Sequence, residues 1–126
     1  MRLRSFAAIL VLSAFVSACG DHVSISELNQ NPQAYEARKI STSGVVGPSS
    51  GLFGLGAYVL QGDGGELVFI ITDRGLPPSG NQATVNGVFK QIVALNERSY
   101  AVVFENEHIN FDSAVRLMRF LVRTVL

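Results

Sequence analysis

The chain has one cysteine, two histidines, four prolines and no excess of either charge among its 126 residues. With Cys19 alone no intrachain disulfide can form, so a folded core must stand on packing. His22 and His108 make no pair at ligand spacing and no second cysteine joins them, which leaves the common zinc arrangements without ligands. Ten basic residues balance ten acidic ones. Nucleic-acid binding rests on a basic stripe that neutralises phosphates, and this balance argues against it. Proline stops at Pro78 and glycine at Gly87, so neither breaks the chain from Val88 onward. The length allows one domain at most.

What is present begins with a leader. Arg2 and Arg4 form a positive start, residues 6–16 are apolar, and Ser17 and Ala18 are small residues ahead of Cys19. This is the layout of an export signal. The apolar stretch rises only about 16 Å as a helix, roughly half of a hydrocarbon core, so a permanent span is the poorer reading. Val16-Ser17-Ala18-Cys19 resembles the lipobox of bacterial lipoproteins. The resemblance implies cleavage before Cys19 and a lipid on its sulfur. An ordinary signal peptidase cutting at the same bond is the alternative. Gly20 is not the aspartate that retains such lipoproteins in the inner membrane, which implies the outer membrane, facing the periplasm. Taking Arg2 and Arg4 out of the 10 basic residues leaves 8 against 10 acidic ones, a net charge of −2 for the mature chain. The expected divisions are a signal peptide over 1–18, a tether over 19–23, a β-rich domain over 24–110 and an amphipathic helix over 111–126.

Ser24 caps a short helix that Asn31-Pro32 ends. Strand-like runs follow at 39–46, 57–61, 66–72, 82–93 and 100–107. A glycine-rich loop is expected at 47–56, a hairpin turn at Gly62-Asp63-Gly64-Gly65 and a proline-containing loop at 73–80. The tail reads as a helix from Asp112, with Leu117, Met118, Leu121, Val122 and Val125 on one side. Arg116, Arg119 and Arg123 make a stripe on the other. Ile40-x-Thr42-x-Gly44-x-Val46 and Ala83-x-Val85-x-Gly87-x-Phe89 share a central glycine, as strands that bend sharply in a closed barrel would.

The order Leu28-x-x-Asn31-Pro32-x-x-Tyr35, Lys39-Ile40, Gly44-x-Val46, Tyr58-x-Leu60-x-x-Asp63 and Gly80 before Val85-x-Gly87 resembles bacterial OB-fold domains of the tRNA-anticodon-binding-like family. The resemblance spans residues 25–107. It implies a mainly β fold, a small five-stranded OB-type barrel with a short N-terminal helix and a C-terminal helix. The chain departs from that pattern at Ala37-Arg38, where a glycine is expected before Lys39.

Gly47-x-Ser49-x-Gly51 matches a nucleophile elbow, with Asp73 and His108 following in triad order. The elbow needs a helix directly after the serine, and Leu52-Phe53-Gly54-Leu55-Gly56 is a poor helix start. The same glycines lack the strand and helix of a dinucleotide fingerprint and the lysine of a P-loop. Glu105, Glu107 and His108 could approach a divalent ion, but a solvated strand end is the simpler reading. Asp63, Glu66 and Asp73 are explained by turn chemistry. No catalytic residue, metal or cofactor is expected.

OB-fold readers stack ligands on aromatics of the second and third strands and the adjoining loops. Phe53, Tyr58 and Phe69 are the candidates here. The run Glu66-Leu67-Val68-Phe69-Ile70-Ile71 is apolar on both faces, however, and favours a strand buried on both sides. The arginine stripe is the other candidate surface, either solvated above a helix that seals the barrel or meeting a membrane or partner. The expectation is a non-enzymatic, lipid-anchored binding or assembly module of the cell envelope. Its partner would be the membrane and an envelope protein, peptide or glycan. The alternative is a structural subunit held through its C-terminal helix.

Overall fold

The computed structural model describes residues 20–52, 54–94 and 98–125. Residues 1–18, expected to be a signal peptide, lie outside the described residues, as do Cys19 and Phe53. In chain order come β1 (Asp21–His22), α1 (Ile25–Gln30), α2 (Pro32–Tyr35), β2 (Lys39–Leu52), β3 (Leu55–Gln61), β4 (Leu67–Thr72), β5 (Gln82–Ala94), β6 (Arg98–Phe104) and α3 (Phe111–Val125). The fold is mainly β, with helices at its two ends.

Strand pairing closes on itself. β2 pairs antiparallel with β3, β3 with β4, β4 runs parallel to β6, β6 pairs antiparallel with β5, and β5 returns to β2. This makes a ring of five strands, to which β1 adds a short parallel edge on β2. Strands this tightly coiled need close backbone approaches, and glycine supplies them. A Cβ on Gly44 would lie 2.6 Å from the Gln61 carbonyl oxygen, and one on Gly87 would lie 2.8 Å from Val103 Cγ1 and press on the Phe104 carbonyl oxygen.

Alternation along the strands feeds two apolar clusters. Ile40, Val46, Leu60, Val68, Ile70, Val85, Phe89 and Val103 point into the ring, where Ile25 and Leu28 of α1 join them. Val59, Phe69, Ile71 and Val102 point outward and meet Leu117, Met118, Leu121 and Val122 of α3. β4 is therefore buried on both faces, as its unbroken apolar run predicts. Ser24 caps α1, accepting from the Glu27 amide at 3.1 Å, and Pro32 opens α2 in the first turn, where a missing N–H costs nothing.

Three expectations need correction. The glycine-rich segment is not a loose loop: β2 runs on to Leu52 and β3 starts at Leu55, with Ser49 opposite Tyr58. The register shift between Val46 and Ser49 is a bulge that takes in Pro48, whose missing N–H would otherwise break a ladder. The last strand ends at Phe104, so Glu105 and Glu107 sit in a turn and share no strand face. Order also begins before Ser24. Asp21 and His22 pair with Ile40 and Ser41, and the buried Val23 donates its amide to the Ser41 carbonyl at 2.7 Å.

Candidate functional site

Where β2 begins and β6 ends, β5 lies between them and the turn at 105–108 folds over the opening. Two adjoining clefts of about 410 Å³ and about 300 Å³ share Lys39, Val88, Phe104 and Glu107 and form one groove. Gly20 lies on the rim of the larger cleft, and Ile109 and Phe111 line the smaller one, where α3 starts.

The turn is held locally. Asn106 donates through Nδ2 to Asp73 at 3.0 Å, and its own Oδ1 accepts from the His108 amide at 2.9 Å. This Asx geometry places His108 in the groove wall. Lys39 and Arg74 bring positive charge to the groove, Glu105 and Glu107 negative charge, and Asn86 a neutral amide. At the other end the Lys90 ammonium stands 5.8 Å and 5.7 Å from the ring centres of Phe104 and Phe111, which stack at 6.2 Å. A cation over two aromatic faces makes this end apolar and positive at once.

Arg74 and Glu105 also line a third cleft of about 360 Å³, at whose base the Tyr58 hydroxyl donates to Glu105 Oε1 at 3.3 Å. Burial pushes the Tyr58 phenol well above its ordinary value near 10, and the neighbouring Glu105 carboxylate adds to the shift. Both effects favour the neutral phenol, the form that donates to Glu105.

Two of the three aromatic stacking candidates are buried. Tyr58 is 3% exposed and belongs to the ring interior. Phe69 is also 3% exposed and lies beneath α3, edge-on to Tyr100 with ring centres 5.6 Å apart. Phe53 lies outside the described residues. Arg116, Arg119 and Arg123 are exposed on α3, away from its buried side. Ser49 sits within β2 with no helix after it, and the groove that contains His108 is lined by neither Ser49 nor Asp73. Among the described residues no group of three His, Cys, Asp or Glu side chains is placed to hold a metal ion. Also among them, no helix is long and apolar enough to cross a membrane.

Sequence reasoning missed Lys39, Arg74 and Asn86. Each stands at a strand end, in a loop or at an exposed strand position, and carries no local signature. Only the closure of β5 against β2 and β6 brings them together.

No protein-family model matches the chain, and no curated protein matches it. Among solved structures, a chain described as "OBody AM3L09 bound to hen egg-white lysozyme" is similar, with a TM-score of 0.46 and 12% identity over 56% of this chain and 78% of that one. At that distance it carries nothing into the reading of this site.

Proposed function

We propose that this chain is a lipid-anchored module of the cell envelope, non-enzymatic and of OB type, which binds or assembles with an envelope protein, peptide or glycan. The ring order β2-β3-β4-β6-β5, with its single parallel pair between β4 and β6, supports the OB-type reading, as does the place of α1 ahead of the ring. The leader and Val16-Ser17-Ala18-Cys19 support the anchor. The family likeness to tRNA-anticodon-binding-like OB domains remains a likeness of motif order. It brings no tRNA with it, since the mature chain is mildly acidic.

The observation that carries the binding role is the allocation of surfaces. α3 covers the outer face of β3 and β4, where Phe69 would otherwise meet a ligand. The groove between Gly20 and Phe111 stays open and lined by both charges and by amides. A site that mixes Lys39 and Arg74 with Glu105 and Glu107 suits a polar partner of both charges better than a polyanion.

Two measurements test this. A photocrosslinking side chain at Asn86 of the full chain should trap a partner in intact cells, and Glu107→Lys should weaken the trapping. Cys19→Ala should leave the protein in the soluble envelope fraction. No adduct at Asn86 would mean that the groove binds no partner, and unchanged membrane association of Cys19→Ala would mean that no lipid on Cys19 holds the protein.

A further inference from the structure

We propose that the solvent face of α3 docks on anionic phospholipid headgroups of the leaflet that holds Cys19. The inference rests on the lipid anchor proposed above and names the surface that the anchor brings to the membrane. At 3.6 residues per turn, Arg116, Arg119, Phe120 and Arg123 fall within one arc of about 100°. All four are exposed, Phe120 to 65%. The opposite side of the helix, with Leu117, Met118 and Leu121, is buried against the ring, so the arc has a fixed outward direction. Asp112, in the first turn, is the helix's only acid, and from Arg116 onward the arc is purely cationic and aromatic. A chain with no net charge thus concentrates positive charge on one face, which is the complement of a phosphate-bearing surface.

Covalent geometry ties the proposed anchor to the groove from which α3 starts. Cys19 is bonded to Gly20, so their Cα atoms are about 3.8 Å apart. Gly20 is on the rim of the groove that runs to Phe111, the first residue of α3. Gly20 and the first turn of α3 thus border the same groove, and α3 carries the arc over the about 22 Å that follow. Guanidinium forks pair with phosphate oxygens, and an exposed phenylalanine ring at the same level enters the headgroup boundary. Each arginine adds about five-fold to partitioning on an anionic surface, so three supply on the order of 100-fold.

The chain contains no tryptophan, so Phe120→Trp in the full chain provides a single tryptophan at the centre of the arc, excited selectively over the three tyrosines. The protein is reconstituted in vesicles of equal parts phosphatidylglycerol and phosphatidylcholine with brominated acyl chains, and in phosphatidylcholine vesicles of the same kind. The expected result is a blue-shifted, quenched emission in the mixed vesicles alone. It should be lost when Arg116→Gln, Arg119→Gln and Arg123→Gln are added and circular dichroism shows an unchanged fold. An unquenched reporter in the mixed vesicles overturns the proposal, as does quenching that ignores the arginines. A shift that occurs only when envelope protein is added also overturns it and assigns the face to a protein partner. The mass of the N-terminal peptide from cells reports acylation separately, so failure of the anchor is distinguishable from failure of the helix.

Discussion

Ala37 has a φ of +62°, in the left-handed region that costs a residue with a Cβ roughly 1–2 kcal/mol. Its amide donates to the Phe89 carbonyl at 2.8 Å, so the conformation is held by the start of the β2–β5 pairing. Ala37 belongs to the pair Ala37-Arg38, where the resembled OB pattern has a glycine before Lys39. Ala37→Gly should raise stability by about 0.5–1 kcal/mol after the added flexibility of the unfolded chain is subtracted, read from urea midpoints at constant slope. A lower midpoint would mean that the alanine methyl contributes packing. Thr42 presents the opposite case. It is fully buried in the strand that lines the ring interior, and its hydroxyl has no hydrogen-bond partner among the described residues. Thr42→Val keeps the shape and removes the unsatisfied group, so it should stabilise by about 1 kcal/mol, whereas Thr42→Ser should destabilise. Tyr58 adds a pH dependence. Its folded pKa is raised, so its contribution is fully present below the unfolded value near 10 and is lost as pH rises through the folded one. Stability of the native protein should fall more steeply in alkali than that of Tyr58→Phe, and ultraviolet titration should show the last phenol to ionise missing from the variant.

At the scale of elements, β4 explains why the sequence reads well in some places and poorly in others. Its run from Leu67 to Ile71 is apolar at every position, and burial on both faces is the direct physical consequence. The capped α1, the hairpin turn at 62–65 and the amphipathic α3 were legible for similar reasons, since each has a local chemical signature. The segment 47–56 was not. Five glycine and proline residues there suggest a loop, yet β2 and β3 pair through it, because a bulge takes in Pro48 and a tight turn at Gly54, with φ of +79°, reverses the chain. Long-range pairing overrides local propensity in such places. The candidate groove was illegible for a related reason: it exists only where β2, β5 and β6 converge. α3 has its own consequence. It protects Val59, Phe69 and Ile71 from water, and Leu121 is fully buried at that contact. Leu121→Ala should cost about 2–4 kcal/mol, measured by thermal or urea unfolding. Binding of a hydrophobic dye should rise with it. A cost below 1 kcal/mol would show that the helix lies loosely on the ring.

At the scale of the molecule, the proposed lipid on Cys19 makes the length of free chain ahead of the folded domain the decisive quantity. A tether over residues 19–23 would allow a reach of up to about 18 Å, enough for the domain to turn freely above a leaflet. Pairing of Asp21 and His22 with β2 takes those residues out of any such tether. Held by the proposed lipid, the domain would meet the surface in a restricted set of orientations, and weak contacts would gain from a high effective concentration. Ten glycine and serine residues inserted between Cys19 and Gly20 give the ring a mean reach of roughly 17 Å and undo that restriction. The lengthened protein should remain membrane-bound through its lipid, while lipid quenching of a tryptophan at position 120 falls several-fold in vesicles containing phosphatidylglycerol. Quenching that survives the insertion at full strength would mean that the arginine face binds headgroups on its own. The short connection would then have no part in orienting the domain.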